Sequence, residues 1–456
     1  MKSETKRSSF WHMLPVIFTL AWPTMLEQLM QTAVQYIDTA MVGTLGTDAT
    51  AAVGSTATVN WLISITISAL SIGFLAYIAQ ATGAKDHSRA VRASGQAVLA
   101  TLVTGLLFTV LALSLSGLVP VWMQVDTSIQ RLASEYFFIL YLPMLPRAAT
   151  IFFGTVLRAV GDTKTPMRVG LLINVINVIL NFLLIYPTRD LWFFTMPGMG
   201  LGVHGAALAS AIAFTVGGIC MTAVLWKHPD ISPKGQSLRP DWLILKPCLK
   251  VAIPNMLQGF VTSLGYVTFA SMINALGEIS TAATTIANTV EGAFYIPGFG
   301  MQTAAATLSG NTLGAGDRQR MKDLTRMLLV LEFVLMCISG GLLFAFAPAM
   351  VKLFSDNRQV IDLCTLVLRM VALSEPIFGI SIIIQGILQG VGKTMTPFVY
   401  NAIGMWGVRI VGTFICTQML GMGLVSAWAC MIAHNVLLCI LFVIHFVRGK
   451  WNPLNH

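Results

Sequence analysis

Long apolar stretches follow one another along this chain with little between them, and that dictates what it can fold into. Windows able to cross a bilayer, about 20 residues at roughly 1.5 Å of helical rise each, fall near 13–40, 49–80, 93–118, 130–153, 166–187, 201–226, 246–275, 281–310, 325–350, 362–388, 396–417 and 423–447. Inside hydrocarbon each backbone N–H and C=O must be satisfied within its own segment, so such windows fold as helices. Only 10% of the residues are charged, against about 25% in a soluble domain; a water-soluble fold would have nothing to cover its surface with. The expectation is an all-α integral membrane protein with twelve transmembrane helices. The first window is too long for a cleaved leader and reads as a span.

The formal charge of +9 invites a nucleic-acid partner, but the basic residues sit in short loops between spans. The amino terminus, the alternate loops and the tail hold 21 Lys and Arg, the opposite side holds four (Arg131, Arg189, Lys352, Arg358), and Arg147, Arg369 and Arg409 fall in spans. Such sorting sets topology. It predicts a multi-pass protein of the inner (plasma) membrane with both termini cytoplasmic and no nucleic acid as partner. The seven cysteines are scattered without a CxxC pair, which reads as packing rather than disulfide or metal chemistry. No cofactor is expected, and nothing demands more than a monomer.

The chain matches itself at one fixed offset. "LAWPTML" at 20–26 lies over "VAIPNML" at 251–257, which pairs Pro23 with Pro254. "GAKD" at 83–86 lies over "GAGD" at 314–317, and "LRAVGDTKTP" at 157–166 over "LQGVGKTMTP" at 388–397. Each half then carries six helices. An even number inserts both halves in the same orientation, as parallel bundles related by a pseudo-two-fold axis along the membrane normal. The predicted domains are 1–226, a cytoplasmic linker 227–245, and 246–456. Pro23 and Pro254 are hinge candidates, since a proline removes one helical hydrogen bond and crowds the preceding turn.

The polar residues inside the spans point to function. A charge at mid-bilayer costs at least ~2.5–3.5 kcal/mol on insertion scales. Yet the first span carries Glu27, Gln31, Gln35 and Asp38 at spacings of 4, 4 and 3, on one helical face. The fifth carries Asn174, Asn177 and Asn181, again on one face, and the sixth places Ser210 at membrane depth. The amides can share a cation or a proton with Asp38, or act as interhelical glue. The position answering Asp38 in the second half is Phe269. That half offers Gln258, Asn274, Glu291, Glu375 and Arg409, with Arg409 expected to pair with a carboxylate and His434 to be a satisfied packing residue.

Together these residues resemble the MATE family, the multidrug and toxic compound extrusion transporters. The resemblance rests on "AWP" followed fifteen residues after its proline by Asp38 in "YIDTAMVGTLG", on "GDTKTP", on "NVINVILN" and on the two six-helix halves. It implies a V-shaped pair of bundles and a secondary antiporter that exports organic cations against protons or sodium ions. It places cation coupling at Asp38, Asn177, Asn181 and Ser210, with sodium at Asp38, Asn177 and Asn181 as the metal candidate. Glu27, Gln31, Gln35, Asn174, Gln258 and Glu291 are the candidates for lining the cargo cavity. Members of the NorM type carry acids in helices seven and ten, where Thr262 and Phe378 stand here, so coupling is expected in the amino-terminal half.

A flippase for a lipid-linked precursor is the alternative on the same architecture. Its anionic cargo calls for a basic cavity, whereas the span interiors hold three arginines against Glu27, Asp38, Glu291, Glu332 and Glu375. No HExxH, GxSxG or CxxC motif appears within the spans, so an enzyme is not expected.

Overall fold

The computed structural model describes residues 2–191 and 194–455. Trp192 and Phe193, read with the outer loop of the first half, lie outside the described residues. The helices are α1 (Lys2–Gly43), α2 (Thr47–Gly83), α3 (His87–Leu115), the short α4 (Val119–Trp122), α5 (Thr127–Tyr141), α6 (Met144–Ala159), α7 (Lys164–Leu184) and α8 (Val203–Lys227). The second half continues with α9 (Trp242–Asn274), α10 (Glu278–Gly314), α11 (Arg318–Lys352), α12 (Arg358–Gly390), α13 (Met395–Met419) and α14 (Leu424–Val447). An antiparallel hairpin, β1 (Pro187–Leu191) and β2 (Phe194–Met199), joins α7 to α8.

Ten of these helices are long and apolar enough to cross a membrane, and an eleventh span forms if α5 and α6, bent by 50°, act as one. The expected twelfth is α10. It has the length, 37 residues, but its threonines and glycines, with Asn288, Glu291 and Gln302, keep it from being apolar enough to count on composition. It is spared lipid by packing: Ala283, Ala287, Ala304, Ala305 and Thr307 are all buried.

The repeat is visible in local geometry. Asp86 caps α3 by accepting the N–H of Arg89 at 3.0 Å, and Asp317, its counterpart in the repeat, caps α11 by accepting that of Arg320 at 2.9 Å. Asp126 caps α5 through Ser128 N–H at 2.9 Å, and its counterpart Asn357 caps α12 through Gln359 N–H, also at 2.9 Å. Each cap satisfies a donor that the first helical turn leaves open. The turn after α2 puts Lys85 at φ +57°, and the turn after α10 puts Gly316 at φ +68°. The left-handed region is free to glycine and strained for lysine.

The chain packs as two compact units. One, the amino unit, comprises Leu26–Ile78 and Asp86–Cys248. The other, the carboxy unit, comprises residues up to Met25, Ala79–Lys85 and Leu249 onward. The expected division at 226 and 246 follows the chain; the packing does not. Helix α1 leaves one unit for the other two residues after Pro23, and α9 does so after Cys248. Helices of 37 residues are about 55 Å long, well beyond the roughly 30 Å of hydrocarbon. Neither proline breaks its helix: α1 runs unbroken through Pro23, and α9 through Pro254.

In the amino unit, Met41, Val42, Ala49, Ile185, Val203 and Ala206 form a cluster that ties the end of α1, the start of α2, the end of α7 and the start of α8 together. In the carboxy unit, the start of α1 is part of the core: Ile17, Leu20 and Ala21 pack with Leu308, Leu328 and Ile387. There Thr24 Oγ1 also donates to Gly300 O at 3.0 Å. Within the same unit the ends of α2 and α10 cross so closely that a Cβ on Gly83 would overlap the carbonyl of Asn311, and one on Gly314 the carbonyl of Gln80. Gln80 further donates to Gly390 O at 3.0 Å.

Candidate functional site

The amino unit brings the four expected coupling residues together. Asp38 comes from α1, Asn177 and Asn181 from one face of α7, and Ser210 from α8. Asn181 Nδ2 donates to Asp38 Oδ1 at 2.5 Å. Asn181 and Asn177 are buried, Asp38 and Ser210 half-buried. With its nitrogen toward the carboxylate, Asn177 Nδ2 donates to Asp38 Oδ1 at 2.8 Å and its oxygen accepts from Ser210 Oγ at 3.0 Å, which completes the string. The Asn181 oxygen is buried without a donor, an acceptor that a cation beside Asp38 can take up. Oxygens of Asp38, Asn177, Asn181 and Ser210 are the hard ligands that sodium requires, so the residues fit that ion.

The local reason is helical spacing. Asn177 and Asn181 are one turn apart and present their amides on the same face. Small residues on α7 and α8 let the backbones approach: a Cβ on Gly205 would stand 2.5 Å from Leu184 O.

The expected cavity residues divide. Glu27 is engaged: Arg158 Nη2 donates to both of its carboxylate oxygens at 2.7 Å, with about a fifth of each side chain exposed. Gly170 of α7 leaves the space that Glu27 fills. Gln31 and Gln35 are exposed on α1, and Asn174 is half-buried on α7, all in the amino unit. Gln258 and Glu291 belong to the carboxy unit; Gln258 Nε2 donates to Gln385 Oε1 at 3.0 Å, and Asn401 donates to the same oxygen at 3.1 Å. Glu291 is half-buried.

Two expectations for the second half are corrected. Among the described residues no ion pair joins Arg409 to a carboxylate; its guanidinium lies over the rings of Phe269 at 4.2 Å and Tyr266 at 4.8 Å, a cation–π arrangement. His434 is buried against Gly404, but neither ring nitrogen has a hydrogen-bond partner among the described residues. Arg158 was missed as a site residue because it lies far from Glu27 along the chain, and only helix packing brings them together.

The MatE family model matches twice, at residues 23–183 and 254–415, and the two matches start on Pro23 and Pro254, the paired prolines of the internal repeat. The chain is 28% identical over 435 residues to the probable multidrug resistance protein NorM of Thermotoga maritima, covering 95% of this chain and 92% of that one. It is 25% identical to the multidrug resistance protein MdtK of Cronobacter sakazakii, covering 88% and 86%. Its fold matches an outward-facing multidrug resistance MATE family transporter of the MOP superfamily, with TM-score 0.88, 22% identity and 96% of each chain. A MOP superfamily transporter from Pyrococcus furiosus matches with TM-score 0.87, 23% identity, 97% of this chain and 96% of that one. Both halves carry the family's pattern and the whole chain its fold, and the chain belongs to the MatE family of membrane transporters.

Proposed function

We propose that the protein is a multidrug efflux antiporter of a cell's inner membrane, with both termini in the cytoplasm, that exports organic cations in exchange for protons or sodium ions by alternating access. The observation that carries this reading is the string Asp38–Asn181–Asn177–Ser210, a carboxylate at membrane depth held by amides and a hydroxyl. The names of the relatives supply drugs as cargo, and the excess of carboxylates over arginines within the spans supplies its positive charge. A cation bound at Asp38 neutralises the carboxylate and changes which of its amide partners donate. That alters the contacts between α1 and α7, and an equilibrium between two conformations shifts by the difference in cation affinity between them. Pro23, which removes one helical hydrogen bond of α1, lies about four turns before Asp38 and is where α1 can answer this change by bending. Gln31, Gln35 and Asn174 offer polar atoms to cargo on the amino unit.

The test is uptake of a fluorescent organic cation into liposomes that hold the protein, under a proton gradient and then under a sodium gradient. Gradient-driven uptake in the wild type and none with Asp38→Asn, in a folded variant, is the expected result. Wild-type uptake by the variant would sink the reading.

A further inference from the structure

Two carboxylates in the carboxy unit are housed in a different manner. Glu332 of α11 is 0% exposed and Glu375 of α12 is 1% exposed, and none of their four oxygens meets a hydrogen-bond partner among the described residues. Glycines hollow out the space they occupy. A Cβ on Gly298 of α10 would stand 2.8 Å from Glu332 Oε1, and one on Gly379 of α12 3.2 Å from Glu332 Cγ. On α11, a Cβ at Gly340 would stand 3.2 Å from Glu375 Cβ. Shape, not donors, accommodates the two acids.

An ionised carboxylate with no donor and no cation beside it is among the most costly groups to bury. The surrounding elements do not relieve it. The titratable and charged groups they bring away from their ends include Glu291 and Tyr295 on α10, Cys337 on α11, Cys364 and Arg369 on α12, Tyr400 and Arg409 on α13, and His434 and His445 on α14; α1 brings none between Met13 and Met25. No ion pair joins any of them to Glu332 or Glu375 among the described residues. Arg409 is stacked on aromatic rings. Two hydroxyls on the same helices are spent elsewhere: Ser339 donates to Phe294 O at 2.5 Å and Ser374 to Val371 O at 2.8 Å.

We propose that Glu332 and Glu375 form a second proton-binding site, between α10, α11 and α12, on which each carboxylate takes up one proton and later releases it with no other bond changed. A sodium ion needs several oxygen ligands at once, and these acids offer only their own; a proton needs one. The site is separate from the Asp38 string, which lies in the other compact unit. Its role in export rests on the reading of the preceding subsection; its capacity to bind protons does not.

The first experiment is infrared spectroscopy of the full-length protein in liposomes while pH is raised from about 5 to about 9, a range that spans shifted carboxyl groups. A carbonyl band of protonated carboxylic acid is expected, fading as pH rises, diminished in E332Q and in E375Q and retained in D38N. A band unaffected by either substitution overturns the proposal. So does a band that persists unchanged to the highest pH, since the acids would then be permanently neutral packing groups. Glutamine keeps the shape of the side chain, and the wild-type titration stands even if a variant misfolds. The second experiment counts protons taken up per cargo cation exported. With one proton at Asp38 and one on each glutamate, the E332Q/E375Q double variant is expected to lower that ratio to about a third, and an unchanged ratio overturns a role in coupling. If the wild type exports no cation, the export reading fails while the infrared result still decides the site.

Discussion

The two halves of this chain share a scaffold and differ in chemistry. The helix caps at Asp86 and Asp317, and at Asp126 and Asn357, recur at matching repeat positions with the same kind of donor and nearly the same distances. The polar groups inside the membrane do not recur. The first half embeds one carboxylate among amides; the second embeds two in a space without donors. Capping and close helix approach constrain any six-helix bundle alike, whereas the cost of a buried polar group depends on its own neighbours. One half can therefore hold a hydrogen-bonded carboxylate where the other holds Phe269.

The largest effect that separates the halves is at Asp38. Asp38→Asn should reduce gradient-driven export to the level of empty liposomes, while Thr262→Ala in the second half should leave at least half of it; uptake assays on both variants check this. Next come the crossing glycines of the carboxy unit. Gly83→Leu and Gly314→Leu each force a side chain into a backbone carbonyl and should cost similar amounts, about 3 kcal/mol, the upper range for overpacking. Thermal unfolding in detergent measures both, and a large inequality would break the symmetry of the crossing.

Removing one donor to the carboxylate is a smaller change. Asn181→Ala should weaken the coupling cation by about tenfold, the size expected for a hydrogen bond to a charged group, seen as a shift in the concentration giving half-maximal export. Arg158→Ala leaves Glu27 without its partner. Because about a fifth of each side chain is exposed, the loss should be about 1–2 kcal/mol, less than for a fully buried pair, and it should appear in stability more than in transport.

The smallest effect lies in the paired caps. The backbone N–H of Ser128 beside Asp126 holds its carboxyl below the usual carboxylate range. A depressed folded value gives a stabilisation that is present above the unfolded value, about 3.9, and lost as pH falls through the folded one. Asn357, the matching cap, does not titrate. Asp126→Asn should therefore flatten the pH dependence of stability in the acid range, and Asn357→Asp should steepen it, as melting curves across that range would show.

The spans and the polar faces within them were legible in the sequence because each depends on short-range periodicity; the repeat showed as a self-match, and the grouping of Asp38 with Asn177, Asn181 and Ser210 came from the family resemblance. Two asparagines four apart share a face whatever surrounds them, and an aspartate in an apolar helix demands a partner. The Glu27–Arg158 pair was not legible, because residues so far apart in the chain meet only through the packing of α1, α6 and α7. Nor was the isolation of Glu332 and Glu375: a sequence shows that an acid is present but not that its neighbours withhold every donor. Arg409 misled for a similar reason, since its aromatic neighbours come from α9.

The crossing of α2 and α10 has an ancestral consequence. Gly83 meets Asn311 while Gly314 meets Gln80, and these are the same two repeat positions exchanged. A contact in which each side supplies the same pair of residues is isologous, the geometry of a two-fold homodimer. Two separate chains of half this length, inserted in the same orientation, would find in each other the contact that this single chain makes with itself.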